Sequence, residues 1–101
     1  MQAIKNTIEL NIYEDDTLEV KKTFLSYGLK WKAFKAIMAK RQTIEKMRED
    51  DDEAATGLVM EVVKMIFPSI TEEDLDDAYI DDLFNCYVQA MNIADRMAKN
   101  S

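Results

Sequence analysis

The spacing of apolar residues along the chain changes once, and the change divides it into two parts. Ile8, Leu10 and Ile12 alternate with Glu9, Asn11 and Tyr13, the two-residue period of a strand with one buried face. Asp15 and Asp16 follow as a turn, and Leu18, Val20 and residues 22–24 continue as a second strand. An N-terminal β-hairpin is therefore expected within residues 1–27. A hairpin alone is marginal in water and must pack on something. Gly28 marks its exit.

From about Leu29 to Arg48 the period becomes helical, with Trp31, Phe34, Ile37, Met38, Ile44 and Met47 separated by polar, mostly basic residues. The acidic run from Glu49 to Glu53 does not suit the end of that helix, because carboxylates oppose the dipole at a C-terminus and favour it at an N-terminus. One helix should stop there and a second begin, capped by Asp51 or Asp52 and apolar along Ala55, Leu58, Val59, Val62 and Ile66. Gly57 falls early in it and blurs its start. Pro68 forces a break. Both Ser69 with Glu72 and Thr71 with Asp74 have the spacing of a capping box. A short helix is expected from about Glu72 to Asp76. A last helix, capped by Asp76 or Asp77, is expected from about Tyr79 to about Ala98. The predicted fold is mainly α: one small domain, residues 1–101, with three to four helices in 29–98 behind the N-terminal hairpin. Neither repeats nor low-complexity tracts interrupt it.

The last helix is apolar over more than half its circumference. Ile80, Leu83, Phe84, Tyr87, Val88, Met91 and Ala94 form one arc, and Tyr79, Cys86, Ala90, Ile93 and Met97 form a second beside it. Such a helix must be covered on two sides. Either the hairpin and the other helices wrap it, or the second arc meets another chain, where flexible Met97 and a thiol would accommodate variable surfaces. The candidate partner-binding residues are thus Tyr79, Cys86, Ala90, Ile93 and Met97, with Trp31 and Lys35 on the basic helix.

Charge adds a second asymmetry. The chain of 101 residues has a net charge of -7. Residues 21–48 carry nine Lys or Arg against one Glu, whereas residues 49–95 carry fourteen Asp or Glu against Lys64 alone. Either the basic helix packs beside the acidic ones and the charges neutralise within the fold, or one pole docks an oppositely charged partner. Overall acidity argues against nucleic acid as that partner, although Lys30, Lys32, Lys35, Lys40, Arg41, Lys46 and Arg48 lie near Trp31 and Phe34. An acidic surface that mimics nucleic acid is an alternative.

Few kinds of chemistry remain. With no histidine, neither a His general base nor a Ser-His or Cys-His nucleophile can be assembled. Two glycines make no phosphate cradle. The runs Asp50 to Glu53 and Asp74 to Asp82 lack the alternating ligands and central glycine of an EF-hand. Ser69, in Pro-Ser-Ile, is not the Asp-Ser-Leu of an acyl carrier protein. No enzyme, metal or cofactor is expected. One cysteine excludes an internal disulfide and fits a reducing cytoplasm. MQAIKNTIEL has no apolar run of signal-peptide length, and no segment approaches the roughly 18 apolar residues of a membrane span.

The order of parts resembles the tail assembly chaperones of long-tailed (siphovirus-type) bacteriophages and prophages. The matching residues are Phe67, Pro68, Ile70, Thr71, Glu72, Glu73, Asp74 and Leu75, then Asp81, Asp82 and Leu83, and the similarity covers most of the chain, from about Ile8 to Met97. The resemblance implies a protein of the bacterial host cytoplasm that binds the tape measure protein, keeps its long helices soluble and helps recruit tail tube subunits. It carries no catalytic residues. Members often have a longer, frameshifted form, and Ala98, Lys99 and Asn100 fit a slippery A-rich heptamer. A homo-oligomer is also open. The competing expectation is a small acidic phage regulatory or anti-host protein that blocks a host factor.

Overall fold

A computed structural model describes residues 7–99, apart from the side chains of Arg48 and Glu49. Residues 1–6, where the N-terminal reading begins, and Asn100 of the Ala-Lys-Asn run lie outside the described residues. Two strands and four helices follow in order: β1 Ile8–Tyr13, β2 Val20–Ser26, α1 Trp31–Asp50, α2 Asp52–Ile66, α3 Glu72–Asp77 and α4 Ile80–Lys99. The domain is mainly helical with an N-terminal antiparallel hairpin, as expected.

The strands pair Ile8 with Ser26, Leu10 with Phe24 and Ile12 with Lys22, so these residues share one face. Ile8, Leu10 and Ile12 are buried. On the opposite face the Thr23 hydroxyl donates to Asn11 Oδ1 at 2.8 Å. The connection is longer than the pattern predicts. Leu18 is 90% exposed within it, and the second strand starts only at Val20, running on to Ser26. The loop is closed by Glu14 N donating to the Glu19 carbonyl at 2.8 Å and by the Thr17 amide donating back to Glu14 O at 3.1 Å. Asp16, at φ 56°, occupies the left-handed region that a short polar side chain tolerates.

The register slips between Ile12 and Tyr13, because Tyr13 pairs with Val20 and leaves Lys21 as an extra residue. Such a bulge re-aims side chains. Lys21 and its neighbour Lys22, which would point to opposite faces of a regular strand, both reach α3: Lys21 Nζ lies 3.4 Å from Asp77 and Lys22 Nζ 2.8 Å from Asp74.

α1 runs two residues further into the acidic stretch than expected, and Asp51 alone separates it from α2. The Asp51 amide donates to the Met47 carbonyl, closing α1. Its carboxylate accepts from the Ala54 amide at 3.2 Å, opening α2. With a one-residue link the two helices fold back as an antiparallel pair, tied by Lys40 and Glu61 at 3.4 Å. Of the two possible capping boxes at α3, the structure forms the one between Thr71 and Asp74. Asp76 and Asp77, expected to cap the last helix, end α3 instead, and the Tyr79 carbonyl takes the first amides of α4, from Asp82 and Leu83.

One core joins these elements. α2 packs on both α1 and α4, while α4 also carries β1. Ile37 and Ile44 of α1, Val59, Val62 and Val63 of α2, and Leu10 of β1 are among the buried residues. The shortest dimension of the molecule is 19 Å, about two helix diameters, so the core is a single seam between two layers.

Asp74 is the one buried charged side chain among the described residues. Its bond from Lys22, then those from the Thr71 amide and hydroxyl, hold its pKa below the ordinary carboxylate value. Because the folded pKa lies below the unfolded one, Asp74 adds stability above the unfolded value of about 3.9, and that stability is lost as pH falls through the folded pKa. Asp74→Asn should therefore cost most stability at neutral pH and progressively less below about pH 4. Urea unfolding of both proteins between pH 7 and pH 3 measures this; a pH-independent gap would place the cost elsewhere than in the charge.

Candidate partner-binding site

Of the two covers left open for the second apolar arc of α4, the structure shows the hairpin and the other helices, so Cys86, Ala90 and Ile93 are not the exposed partner-binding residues they were candidates to be. Cys86 is 1% exposed, Ala90 0% and Ile93 4%; all three belong to the core. The arc expected to meet another chain is largely the arc that meets the hairpin and α2. Cys86 and Ala90 are small, and small side chains let neighbouring elements approach the α4 backbone closely. The Cys86 thiol even donates to the Glu9 carbonyl on β1, at 3.5 Å. Tyr79 and Met97 remain exposed, but 18 positions apart along the sequence, roughly 27 Å on a helix. They form no common surface. The Tyr79 ring also spends one side on Tyr13, with centroids 5.9 Å apart. What α4 shows to solvent is part of its other arc: Ile80 and Val88 are exposed, and a shallow cavity of about 500 Å³ is lined by Asp81, Phe84, Asn85 and Val88.

The other two candidates, Trp31 and Lys35, do come together. Trp31 begins α1 and is 67% exposed; it stacks on Phe34 with centroids 5.5 Å apart, and Lys35 Nζ lies 5.7 Å from its ring. Beside them is a groove of about 480 Å³ lined by Leu25, Tyr27, Leu29, Lys30, Met65 and Pro68, among others. It forms where β2 ends. Gly28, at φ 152°, takes a backbone conformation that other residues rarely adopt, and turns the chain from β2 into α1 across the end of α2. Tyr27, just before that turn, is 79% exposed, and Leu25 48%. Sequence reasoning missed Leu25, Tyr27, Met65 and Pro68. The legible signal was a bulky aromatic placed directly before the exit glycine.

Lys30 is the charged residue that lines this groove. Lys40 pairs with Glu61 and Arg41 with Asp95, but no carboxylate lies within ion-pair distance of the exposed Lys30, Lys32 or Lys35 among the described residues. α1 also has no acidic residue in its first turn, and Lys30, in the N-cap position, makes no side-chain cap. The helix dipole and the lysines there add to one another. The opposite end of the hairpin, roughly 17 Å away along β1, carries the reverse. Glu14, Asp15, Asp16 and Glu19 of the loop lie near the α3 and α4 junction, to which Lys21–Asp77 and Tyr13–Tyr79 tie the hairpin.

Among the described residues no group of three or more carboxylates or thiols converges as a metal site, and no helix is long and apolar enough to cross a membrane. The fold and this surface define a small helical domain with one polarised apolar groove. No family model matches the chain, and neither a curated protein nor a solved structure is detectably similar to it.

Burial, and to a lesser degree Asp82, push the Cys86 thiol up to about 12. It should resist a water-soluble disulfide reagent at pH 8 in the native protein and react at once in urea, followed by thiolate release at equal protein concentration. Fast native labelling would mean that α4 leaves the hairpin readily. Lys30→Asp supplies the missing cap of α1 at a backbone geometry that accepts it, φ -73° and ψ 156°. It should stabilise the protein by about 1 kcal/mol, seen as a rise of several degrees in the melting temperature.

Proposed function

We propose that this chain is a tail assembly chaperone of a long-tailed bacteriophage or prophage, which binds the tape measure protein and keeps it soluble while tail tube subunits are recruited. The observation that carries the reading is an open apolar groove lined by exposed Tyr27 and by Lys30, at the start of the helix that also exposes Trp31. A folded domain that leaves Leu25, Tyr27, Trp31 and Met38 in water bears a standing cost of apolar hydration, which capture of an amphipathic partner removes. The Pro-turn, the Thr-Glu-Glu-Asp-Leu run and the helix behind it, by which the sequence resembles that family, support the choice of partner. Holding of this kind is passive, driven by apolar contact and steered by charge, and needs no nucleotide.

The acidic end of the hairpin favours a second reading, in which the carboxylates of the loop and of the α3 and α4 junction imitate nucleic acid and block a host DNA-binding protein. Co-expression separates the two. The soluble yield of the tape measure protein encoded beside this chain should rise several-fold and the two should co-purify. An unchanged yield without co-purification rejects the chaperone, and salt-sensitive binding to a DNA-binding enzyme in its place supports the mimic.

A further inference from the structure

Resting on the partner-holding reading, we infer that the groove at the hairpin exit takes one kind of ligand: an acidic amphipathic helix that sets apolar anchors on Leu25, Tyr27 and Met65 and carboxylates against Lys30, Lys32 and Lys35. Three observations combine. The groove, about 480 Å³, has room for a few aliphatic or aromatic side chains, the anchors that a helix presents at positions i, i+3 and i+4. Lys30 lines it, and Lys32 and Lys35 follow in the first two turns of α1. Lys21, Lys22, Lys40, Arg41 and Lys64 each have a carboxylate of the same chain beside them, whereas among the described residues Lys30, Lys32 and Lys35, like Lys46 and Lys99 farther along the chain, have none and remain available to another molecule. Finally, the start of α1 lacks both an acidic residue and a side-chain cap. The fold forgoes stability there, and an incoming carboxylate would supply the missing negative charge.

Charge selects among the possible occupants. A nucleic acid strand would meet the same lysines, but it would bring dense phosphate charge to a molecule of net charge -7 with acidic residues massed at the far end of the hairpin. A peptide with only a few carboxylates beside its apolar anchors meets the local positive field with far less of that repulsion.

The test is a fluorescein-labelled, tryptophan-free helical peptide of about five turns, with Leu and Phe on one face and Glu along both flanks, followed by anisotropy against the full chain. A twin with every Glu replaced by Lys is the comparison. Expected are saturable binding of the acidic peptide, at least tenfold weaker binding of its basic twin, and several-fold loss of affinity in high salt, where charges beyond about 3 Å are screened. The emission of Trp31, the chain's single tryptophan, should change as the peptide saturates. The double variant Lys30→Asp/Lys32→Glu should lose at least tenfold in affinity while melting no lower than the parent, because acidic residues favour a helix start. Equal affinity for both peptides, unchanged binding by the variant, binding of an oligothymidylate in preference to the acidic peptide, or burial of Trp31 by self-association of the chain alone would each overturn the proposal. A failure of tape measure co-expression with peptide binding intact would reject the family reading and leave this one standing.

Discussion

A two-stranded hairpin does not hold together in water by itself, and here Ile8, Leu10 and Ile12 of β1 find their cover largely on α4. Much else follows from that contact. The strand backbone meets α4 at Cys86, whose thiol donates to the Glu9 carbonyl, and the side of the helix that carries Cys86, Ala90 and Ala94 is turned inward while Ile80 and Val88 are left outside. With β1 fixed on α4, the free end of β2 projects past the end of α2, and the chain must turn sharply at Gly28 to enter α1. The groove exists because of that turn. It is the space left between the strand exit, the start of one helix and the end of another.

Electrostatics divide the molecule along the same axis. The basic segment read from the sequence behaves in two ways at once. Its middle, at Lys40 and Arg41, is neutralised by Glu61 and Asp95 on neighbouring helices, as expected for charges packed within a fold. Lys30, Lys32 and Lys35, at the start of α1, are not. Exposed pairs of this kind contribute little to stability, at most about 1 kcal/mol each, so their chief effect is on where the remaining charge appears. Two lysines of β2 are consumed by α3, where the Lys22 bond to Asp74 reinforces a carboxylate already engaged in capping. Of the charge left over, Lys30, Lys32 and Lys35 stand at the start of α1, and Glu14, Asp15, Asp16 and Glu19 stand at the hairpin turn.

The element order was legible because each boundary has a local cause: the period change after Gly28, the carboxylates around Asp51, Pro68, and the hydroxyl of Thr71. Finer features were not. The position of Leu18 in a loop depends on hydrogen bonds among Glu14, Thr17 and Glu19 that no spacing announces. The choice between two apolar arcs on α4 depends on which neighbours arrive, and an angular plot of one helix contains no neighbours. Side-chain size held the missing information, since Ala90 and Ala94 mark close approach more surely than hydrophobicity does. Trp31 and Lys35 were legible as neighbours, because residues four apart on a helix share a face. Leu25 and Met65 were not, because they become neighbours only after the chain has folded back on itself.

The bulge at Lys21 bears on whether copies of a protein that displays apolar surface pair through a strand edge. Among the described residues no backbone hydrogen bond from outside the hairpin reaches β2, so its outer edge is open to strand addition by a second copy. The extra residue breaks the regular ladder near the start of that edge, and two lysines stand at the break. Five residues beyond it, 22–26, keep an even register. A short edge with a bulge and lysines at its start discourages edge-to-edge pairing. The irregularity that directs two cations onto α3 also works against polymerisation through that strand.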